Sequence, residues 1–262
     1  MITTPRPYVG RLVLTLLIVA TGLTLIFTIG MNRGDEGSAA PIPVPDRRPQ
    51  PHAAVPRAAV AAPVDRPAAS DQAELDAWSE RVAASTGVPA RALAAYGRAE
   101  MWMRGERPGC HLSWGTLAGI GRVESHHGTL DGNGLRGDGT PHRPIIGVPL
   151  DGSPGVRRIA DTDGGRLDGD RRWDRAVGPM QFLPSTWQRW GGRAVRDGAR
   201  PDPQNIDDAA LAAARYLCWN GRDLRTPVGW WDAVLTYNNS VDYARDVFSG
   251  AAAYADATRP RR

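Results

Sequence analysis

Apolar residues recur at helical spacing through much of the chain after residue 70. Ser70 is the predicted N-cap of a first helix, which ends near Gly87, and Pro89 suits the first turn of a second helix. The apolar positions that define these two helices are Leu75, Trp78, Val82, Leu93, Tyr96 and residues 101–103. This pattern predicts that the folded part of the chain begins with helices.

Three further helices are predicted in the C-terminal part of the chain. One begins at residues 184–187, one opens at Asp207 or Asp208 and continues to Leu217, and the last spans about residues 241–255. Residues 128–172 are crowded with Gly, Asp and Pro, and they show neither helical nor alternating periodicity. The chain is therefore predicted to be mainly α, with a long irregular loop across one side of the domain.

Glu124 stands at the end of another apolar helix, predicted over residues 113–125. Counted from Ser113, a residue type that caps helices, positions 117, 120, 121 and 124 fall on one face. A carboxyl on a buried face is desolvated, which raises its pKa and suits it to general acid catalysis. The alternative is a solvated Glu at a fraying helix end, or one paired with Arg122.

Residues 12–31 carry no charge and are long enough to cross a membrane as a helix. Arg6 and Arg11 precede them, so the pattern predicts a cytoplasmic N-terminus over residues 1–11 and a transmembrane anchor over 12–31. The rest of this single-pass cell-membrane protein is then expected outside the cytoplasm. The alternative is a cleaved signal peptide, although the apolar stretch is long for one and Pro41 follows the small-residue cleavage candidate.

Residues 32–70 are rich in Pro and Ala and are predicted to form a disordered linker. Over residues 35–70, a semi-extended chain would reach on the order of 110 Å. The catalytic domain is then predicted over residues 71–256, and residues 257–262 form a C-terminal tail.

Charge and cysteine content narrow the classes of function. The net charge is +4, every cationic side chain is Arg, and no basic block occurs. This argues against a nucleic-acid partner, whereas attraction to anionic wall polymers stays open. Cys110 and Cys218 are the two cysteines, and in an oxidising compartment such a pair favours a disulfide over the alternative of two buried thiols.

Four segments carry candidate chemistry, namely residues 119–128, 176–187, 205–218 and 235–244. They include the runs Gly-Ile-Gly-Arg-Val-Glu-Ser-His-His-Gly, Ala-Val-Gly-Pro-Met-Gln-Phe-Leu-Pro-Ser-Thr-Trp, Asn-Ile-Asp-Asp-Ala-Ala and Leu-Thr-Tyr-Asn-Asn-Ser-Val-Asp-Tyr-Ala. In their order and spacing these segments resemble the membrane-bound lytic transglycosylase B-type family, in an actinobacterial style. The resemblance covers most of residues 72–250.

This resemblance implies a lysozyme-like transglycosylase domain that acts on the glycan strands of peptidoglycan. The implied reaction cleaves the β-1,4 bond between N-acetylmuramic acid and N-acetylglucosamine and leaves a 1,6-anhydromuramyl end. Glu124 matches the family's single catalytic acid/base, and no cofactor is implied. The substrate-binding residues that the resemblance implies are Gln181, Tyr216, Tyr237, Asn238, Ser240 and Tyr243.

Structural roles compete with several of these assignments. Gln181 can be an ordinary polar residue of a tight turn, and Tyr216 can face the core. Asn239 or Ser240 can cap the final helix. Phe182 is expected in the core, as are most of the tryptophans on helices.

Metal binding is weakly indicated, and no metal is expected. Residues 161–170 resemble a calcium-binding loop, but Arg166 stands where Gly is usual and no bidentate Glu ends the loop, so a cluster of Asp-Gly turns is the alternative. His126 and His127 are expected at an exposed helix end, where one could touch substrate, and they lack the ligand spacing of a zinc site.

Two other functions stay open at this point. A hydrolytic muramidase would cut the same bond with a second carboxylate, for which Asp170 and Asp174 are the candidates. A non-catalytic peptidoglycan-binding scaffold would use the same groove but would not need a desolvated Glu124. Association with cell-wall synthesis proteins, such as penicillin-binding proteins, is compatible with catalysis.

Overall fold

The computed structural model describes residues 39–55, 57–59, 61, 72–195 and 197–259. The predicted anchor over residues 12–31 and the predicted cap Ser70 lie outside these ranges. Among the described helices, none combines the length and the apolar character that crossing a membrane requires.

The described residues are mainly helical, as predicted, and they form seven α-helices. These are α1 (Gln72–Thr86), α2 (Ala90–Glu106), α3 (Trp114–Ser125), α4 (Pro184–Trp190), α5 (Ile206–Leu217), α6 (Pro227–Tyr237) and α7 (Val241–Ala257).

Local capping chemistry explains where several of these helices begin. Ser113 caps α3, since its side chain accepts the N–H of Gly115. The start predicted at Asp207 or Asp208 is wrong by one or two residues, because Asn205 is the cap of α5 and its side chain accepts both of their N–H groups.

Helix α6 is absent from the predicted elements. It begins with Thr226 as the cap and Pro227 in the first turn, a combination that favours a helix start. Trp230 and Trp231 are both buried, so the helix shows little amphipathic contrast along its length. A helix that is buried on more than one face loses the periodic signal by which it would be predicted.

Helix α3 lies at the centre of the fold and packs closely on α7. A Cβ atom added at Gly119 would lie 2.6 Å from the carbonyl oxygen of Val247, so only glycine permits this approach. Helix α2 packs between α1 and α5. The predicted disulfide joins Cys110, just after α2, to Cys218 at the end of α5, with their Cα atoms 5.4 Å apart.

The segment between α3 and α4 is irregular, as predicted for residues 128–172, and isolated antiparallel bridges hold it together. Its carboxylates bind its own backbone: one oxygen of Asp161 accepts the N–H groups of Asp163, Gly164 and Gly165. This is the pattern of Asp-Gly turns. Within the described ranges no group of three His, Cys, Asp or Glu side chains is placed to hold a metal ion.

The prediction of a disordered linker over residues 32–70 is wrong for the part of that segment that the structure describes. Residues 39–55, 57–59 and 61, here called the N-terminal strap, run along the helical domain without regular secondary structure, with a turn at residues 51–52. Ile42 donates its N–H to the carbonyl of Thr86, and Arg47 exchanges two hydrogen bonds with the side chain of Ser249 on α7. The strap therefore belongs to the folded domain.

Buried polar groups of the domain are satisfied by the strap. The indole N–H of Trp231 donates to the carbonyl of Ala53, and that of Trp114 donates to the carbonyl of Ala59. Glu100, whose side chain is 1% exposed, accepts the N–H of Ala61 at 3.1 Å. A Pro- and Ala-rich segment is thus ordered by hydrogen bonds to the helical domain and by packing of Ile42, Val55 and Ala58 against its core, which composition alone does not reveal.

We expect a chain that begins at residue 71 to be less stable than one that begins at residue 39. The shorter chain leaves the indoles of Trp114 and Trp231 and one oxygen of Glu100 without these partners, at a cost of about 1 kcal/mol each. For a domain of this size the expected fall in Tm is about 5–10 °C, measured by thermal unfolding followed by circular dichroism. Arg48→Gln in the longer chain is the control, because its exposed ion pairs contribute little. Equal Tm values for the two chains would show that the strap is not part of the domain.

Candidate active site

Glu124 lies in the last turn of α3, where its side chain is half-buried. The helix ends after Ser125 because His126 and His127 both adopt the left-handed conformation, with φ of 49° and 63°. Arg122, the alternative partner considered for Glu124, instead donates to the backbone carbonyl of Asp246 at 2.7 Å. Glu124 is thus held at the edge of the core without an ion pair to Arg122.

Tyr243 on α7 donates its hydroxyl to Oε1 of Glu124 at 2.5 Å. Burial raises the pKa of Glu124 to about 7, and the hydrogen bond from Tyr243 opposes this rise. Burial also raises the pKa of Tyr243 well above its ordinary value, so its hydroxyl keeps its proton and acts as the donor. The desolvation predicted for Glu124 from its position on α3 is therefore confirmed.

A tight turn over residues 178–181 lies against the end of α3. Ser125 donates its hydroxyl to the carbonyl oxygen of Pro179 at 2.6 Å, which ties the turn to the residue next to Glu124. Val177 and Phe182 pair across the turn through two backbone hydrogen bonds. Gly178 has a φ of 78°, and a Cβ there would lie 1.8 Å from the carbonyl oxygen of Pro203, so the turn requires glycine at this position.

Gln181 occupies the last position of this turn with a φ of 47°, which is unusual for a residue other than glycine. Its amide nitrogen donates to the carbonyl of Gly178 at 3.0 Å. The half-buried side chain is fixed by the turn itself, as the structural alternative for Gln181 expects. Strained conformations of this kind cluster at functional sites, so the turn role is compatible with the predicted binding role.

Tyr237 and Tyr216 adjoin this turn. Tyr237, the last residue of α6, donates its hydroxyl to the carbonyl of Met180 at 2.7 Å. Its ring lies 5.7 Å from that of Phe182 and 5.7 Å from that of Tyr216, measured between centroids. Both tyrosines are half-buried, and Phe182 is in the core as predicted. The structure therefore brings Tyr237 and Tyr216 to the same side of the domain as the turn.

Two of the predicted binding residues, Ser240 and Asn238, lie at helix ends. Ser240 is the N-cap of α7, and its hydroxyl accepts the N–H of Tyr243 at 3.3 Å, which is the capping role considered for it. Asn238 is exposed and ends α6, where its backbone N–H bonds to Val234. Ser240 thus acts on Glu124 indirectly, because it caps the helix that carries Tyr243. Contact of Ser240 or Asn238 with substrate stays a prediction.

His127 has a role that the sequence analysis misses, because its expected position at an exposed helix end is wrong. It is buried, with the hydroxyl of Tyr96 at 3.3 Å from Nδ1 and that of Tyr254 at 3.1 Å from Nε2. Burial lowers the pKa of His127 to about 3, so the ring is neutral. Gly121 makes room for this arrangement, since a Cβ there would meet the hydroxyl of Tyr96 at 2.0 Å. His126, in contrast, is exposed as predicted.

The two candidate second carboxylates are engaged inside the irregular loop. Asp174 is fully buried and accepts the N–H and the hydroxyl of Thr162. Asp170 accepts two backbone N–H groups and pairs with Arg175, and these backbone hydrogen bonds are the main cause that lowers its pKa. Both carboxylates stabilise the loop through these contacts.

No protein-family model, curated protein or solved structure matches this chain. The family resemblance therefore depends on the four sequence segments alone.

We expect the stability of the protein to depend on pH through Glu124. Its folded pKa of about 7 lies above the ordinary value of 4.5, so the folded state holds this proton more tightly than the unfolded chain. Its contribution is present in full below about pH 4.5 and is lost as the pH rises through 7. The Tm of Glu124→Gln, measured by calorimetry from pH 4 to 8, should therefore rise relative to wild type over this range. Glu80→Gln removes an exposed carboxylate from α1 and serves as the control; a Tm difference for Glu124→Gln that is constant with pH would contradict the burial of Glu124.

Proposed function

We propose that this protein is a membrane-anchored peptidoglycan lytic transglycosylase with a lysozyme-like catalytic domain and Glu124 as its single general acid/base. The observation that carries the proposal is the half-buried Glu124 carboxyl, whose pKa is raised to about 7 beside the turn that contains Gln181. A carboxyl of this kind is suited to give a proton and then take one near neutral pH.

The proposed reaction has two proton transfers through Glu124. The protonated carboxyl first gives its proton to the oxygen of the glycosidic bond, and that bond to the muramic acid C1 breaks. The carboxylate then takes the proton of the muramic acid C6 hydroxyl as its oxygen bonds to C1 and closes the 1,6-anhydro ring. No water is consumed, and Glu124 ends the cycle protonated.

Tyr243 supports both transfers in this mechanism. Its hydroxyl holds Oε1 of Glu124 in place, so the proton is transferred from or to a carboxyl of fixed orientation. The same hydrogen bond stabilises the carboxylate that forms between the two steps. Burial alone would make that carboxylate costly, and the tyrosine limits this cost.

The arrangement of carboxylates supports a lytic reaction rather than hydrolysis, because no second carboxylate among the two candidates is free to take part. A glycoside hydrolase of the usual kind needs a second carboxylate on the other side of the scissile bond, free to act on water or on the sugar. Asp170 and Asp174 are committed to the loop, and the burial of Asp174 is complete. A non-catalytic scaffold would give no reason to keep a desolvated carboxyl at this position.

Location and partners follow from the same proposal. The Cys110–Cys218 disulfide supports an oxidising compartment, in agreement with export behind the anchor proposed over residues 12–31. The substrate-binding residues in this proposal are Gln181, Tyr216, Tyr237, Asn238, Ser240 and Tyr243. Peptidoglycan is the proposed partner, beside cell-wall synthesis proteins, and no cofactor takes part.

We expect wild-type protein to release muropeptides with anhydromuramyl ends from purified peptidoglycan, as measured by mass spectrometry. Glu124→Gln keeps the shape of the side chain but cannot transfer the proton, so the rate should fall by about 10²–10⁴-fold. Asp170→Asn should keep the anhydro product. Reducing ends that disappear in Asp170→Asn would indicate a hydrolase, and no product from folded wild-type protein would favour the scaffold.

Tyr243→Phe should move the pH profile of the reaction to higher pH. The hydrogen bond from Tyr243 lowers the pKa of Glu124, so its loss raises that pKa further, and the acid stays protonated at higher pH. In wild type, kcat/KM should decline as the pH rises through about 7, and this decline should begin at higher pH in the variant. Tyr254→Phe, which changes a hydroxyl bound to His127 and not to Glu124, is the control. A decline at the same pH in all three proteins would contradict the role given to Tyr243.

A further inference from the structure

Two arginines, the exposed Arg189 and the half-buried Arg222, contact aromatic rings. The guanidinium carbon of Arg189, on α4, lies 5.2 Å from the ring centroid of Trp190 and 5.1 Å from that of Trp219. Arg222 lies 5.7 Å from the same Trp219 ring and donates to the hydroxyl of Thr236 at 2.7 Å. Contacts of this kind favour a cation beside an aromatic ring, and they do not use the N–H donors of the exposed Arg189 side chain.

Arg189, Arg222 and the rings of Trp190, Trp219 and Tyr216 are here called the arginine–aromatic cluster. A series of ring contacts connects this cluster to the candidate active site. Tyr216 stacks on Trp190 with centroids 5.4 Å apart, and Trp190 contacts Trp219, which is 38% exposed. Tyr216 also contacts Tyr237, whose pKa is raised by burial and, second, by the charge of Glu124. The cluster therefore extends from the neighbourhood of Glu124 to the surface.

The two cations of the cluster lack an acidic partner within the described part of the chain. Arg193, by comparison, pairs with both Asp197 and Asp208, and Arg91 pairs with Asp207. Arg189 and Arg222 make no ion pair with a described residue, and Nη1 of Arg222 is buried without a hydrogen-bond partner. Arg189 and Arg222 thus place two positive charges against one indole, and a bound anion would offset that charge.

We propose that Arg189 and Arg222 form a binding site for carboxylate groups carried by the muramic acid residues of a glycan strand. This inference rests on the proposed function, because it requires the sugar chain to lie beside Glu124. A planar guanidinium forms paired hydrogen bonds with a carboxylate. The ring contacts from Tyr237 through Tyr216 to Trp190 join the candidate active site to the cluster, and the proposed strand follows these rings. The carboxylate is either that of the lactyl group or one of the attached peptide, and these are the two sources to be distinguished.

The test measures binding by the full-length chain with Glu124→Gln, so that turnover does not interfere. Three ligands of equal sugar number are compared by calorimetry: glycan strands that carry peptides, strands with the peptides removed and the lactyl carboxylates free, and the neutral oligomer of N-acetylglucosamine. Arg189→Gln and Arg222→Gln are each added to this background. Arg81→Gln, which removes an exposed arginine of α1, is the matched control.

Each cluster variant should bind the carboxylate-bearing strands at least about tenfold less tightly than the Glu124→Gln background, as expected for the loss of a charge-assisted hydrogen bond. Its affinity for the neutral oligomer should be unchanged. Added salt should weaken wild-type binding to those strands more than that of the variants. A loss confined to peptide-bearing strands would assign the carboxylate to the peptide. A loss confined to the peptide-free strands would assign it to the lactyl group, because that carboxyl is an amide wherever a peptide is attached. A loss with both kinds would show that the arginines accept either carboxylate.

Other outcomes overturn the inference. Unchanged affinity for every ligand would show that the arginines serve another purpose, such as an acidic protein partner. An equal loss for the neutral oligomer would mean that the substitutions disturb the groove and that no carboxylate is recognised. If the background protein bound none of the three ligands, the proposed function itself would fail, which is distinct from a failure of the two arginines.

Discussion

Helices α3 and α7 approach each other closely at the centre of the domain, and the candidate site depends on that approach. Gly119 allows the backbone of one helix to contact the backbone of the other near Val247. Near the C-terminal end of α3, the same pair of helices brings the hydroxyl of Tyr243 to the carboxyl of Glu124. A larger side chain at position 119 would separate the helices, and the hydrogen bond to Glu124 would lengthen with them.

The protonation of Glu124 is a balance between two opposed effects. Burial favours the neutral acid, whereas the hydrogen bond from Tyr243 favours the carboxylate, and the resulting pKa of about 7 keeps both forms accessible near neutral pH. The surrounding charges preserve this balance: Arg122 is directed to a backbone carbonyl, and His127 is neutral between two tyrosines. An ion pair at Glu124 would lower its pKa and remove its use as an acid.

Local patterns account for much of the fold. The cap at Ser113, the apolar face that includes Leu117 and Glu124, and the irregular character of residues 128–172 are all properties of short stretches of chain, and each agrees with the structure. Helix α6 escapes prediction because burial on several faces removes its periodicity. The N-terminal strap escapes for another reason: its partners, such as Trp231 and Ser249, lie about 180–200 residues away in the chain.

The sequence by itself determined that the domain is mainly α and that Glu124 occupies a buried helix face, because capping and periodicity act between neighbouring residues. It also determined that Cys110 and Cys218 can pair, because they are the two cysteines of the chain. Only the tertiary structure decided that His127 is enclosed by two tyrosines, that the strap is part of the domain, and that Arg189 and Arg222 share one indole. These arrangements join residues from different elements. They depend on how helices pack in three dimensions, and the local periodicity of apolar residues does not specify that packing.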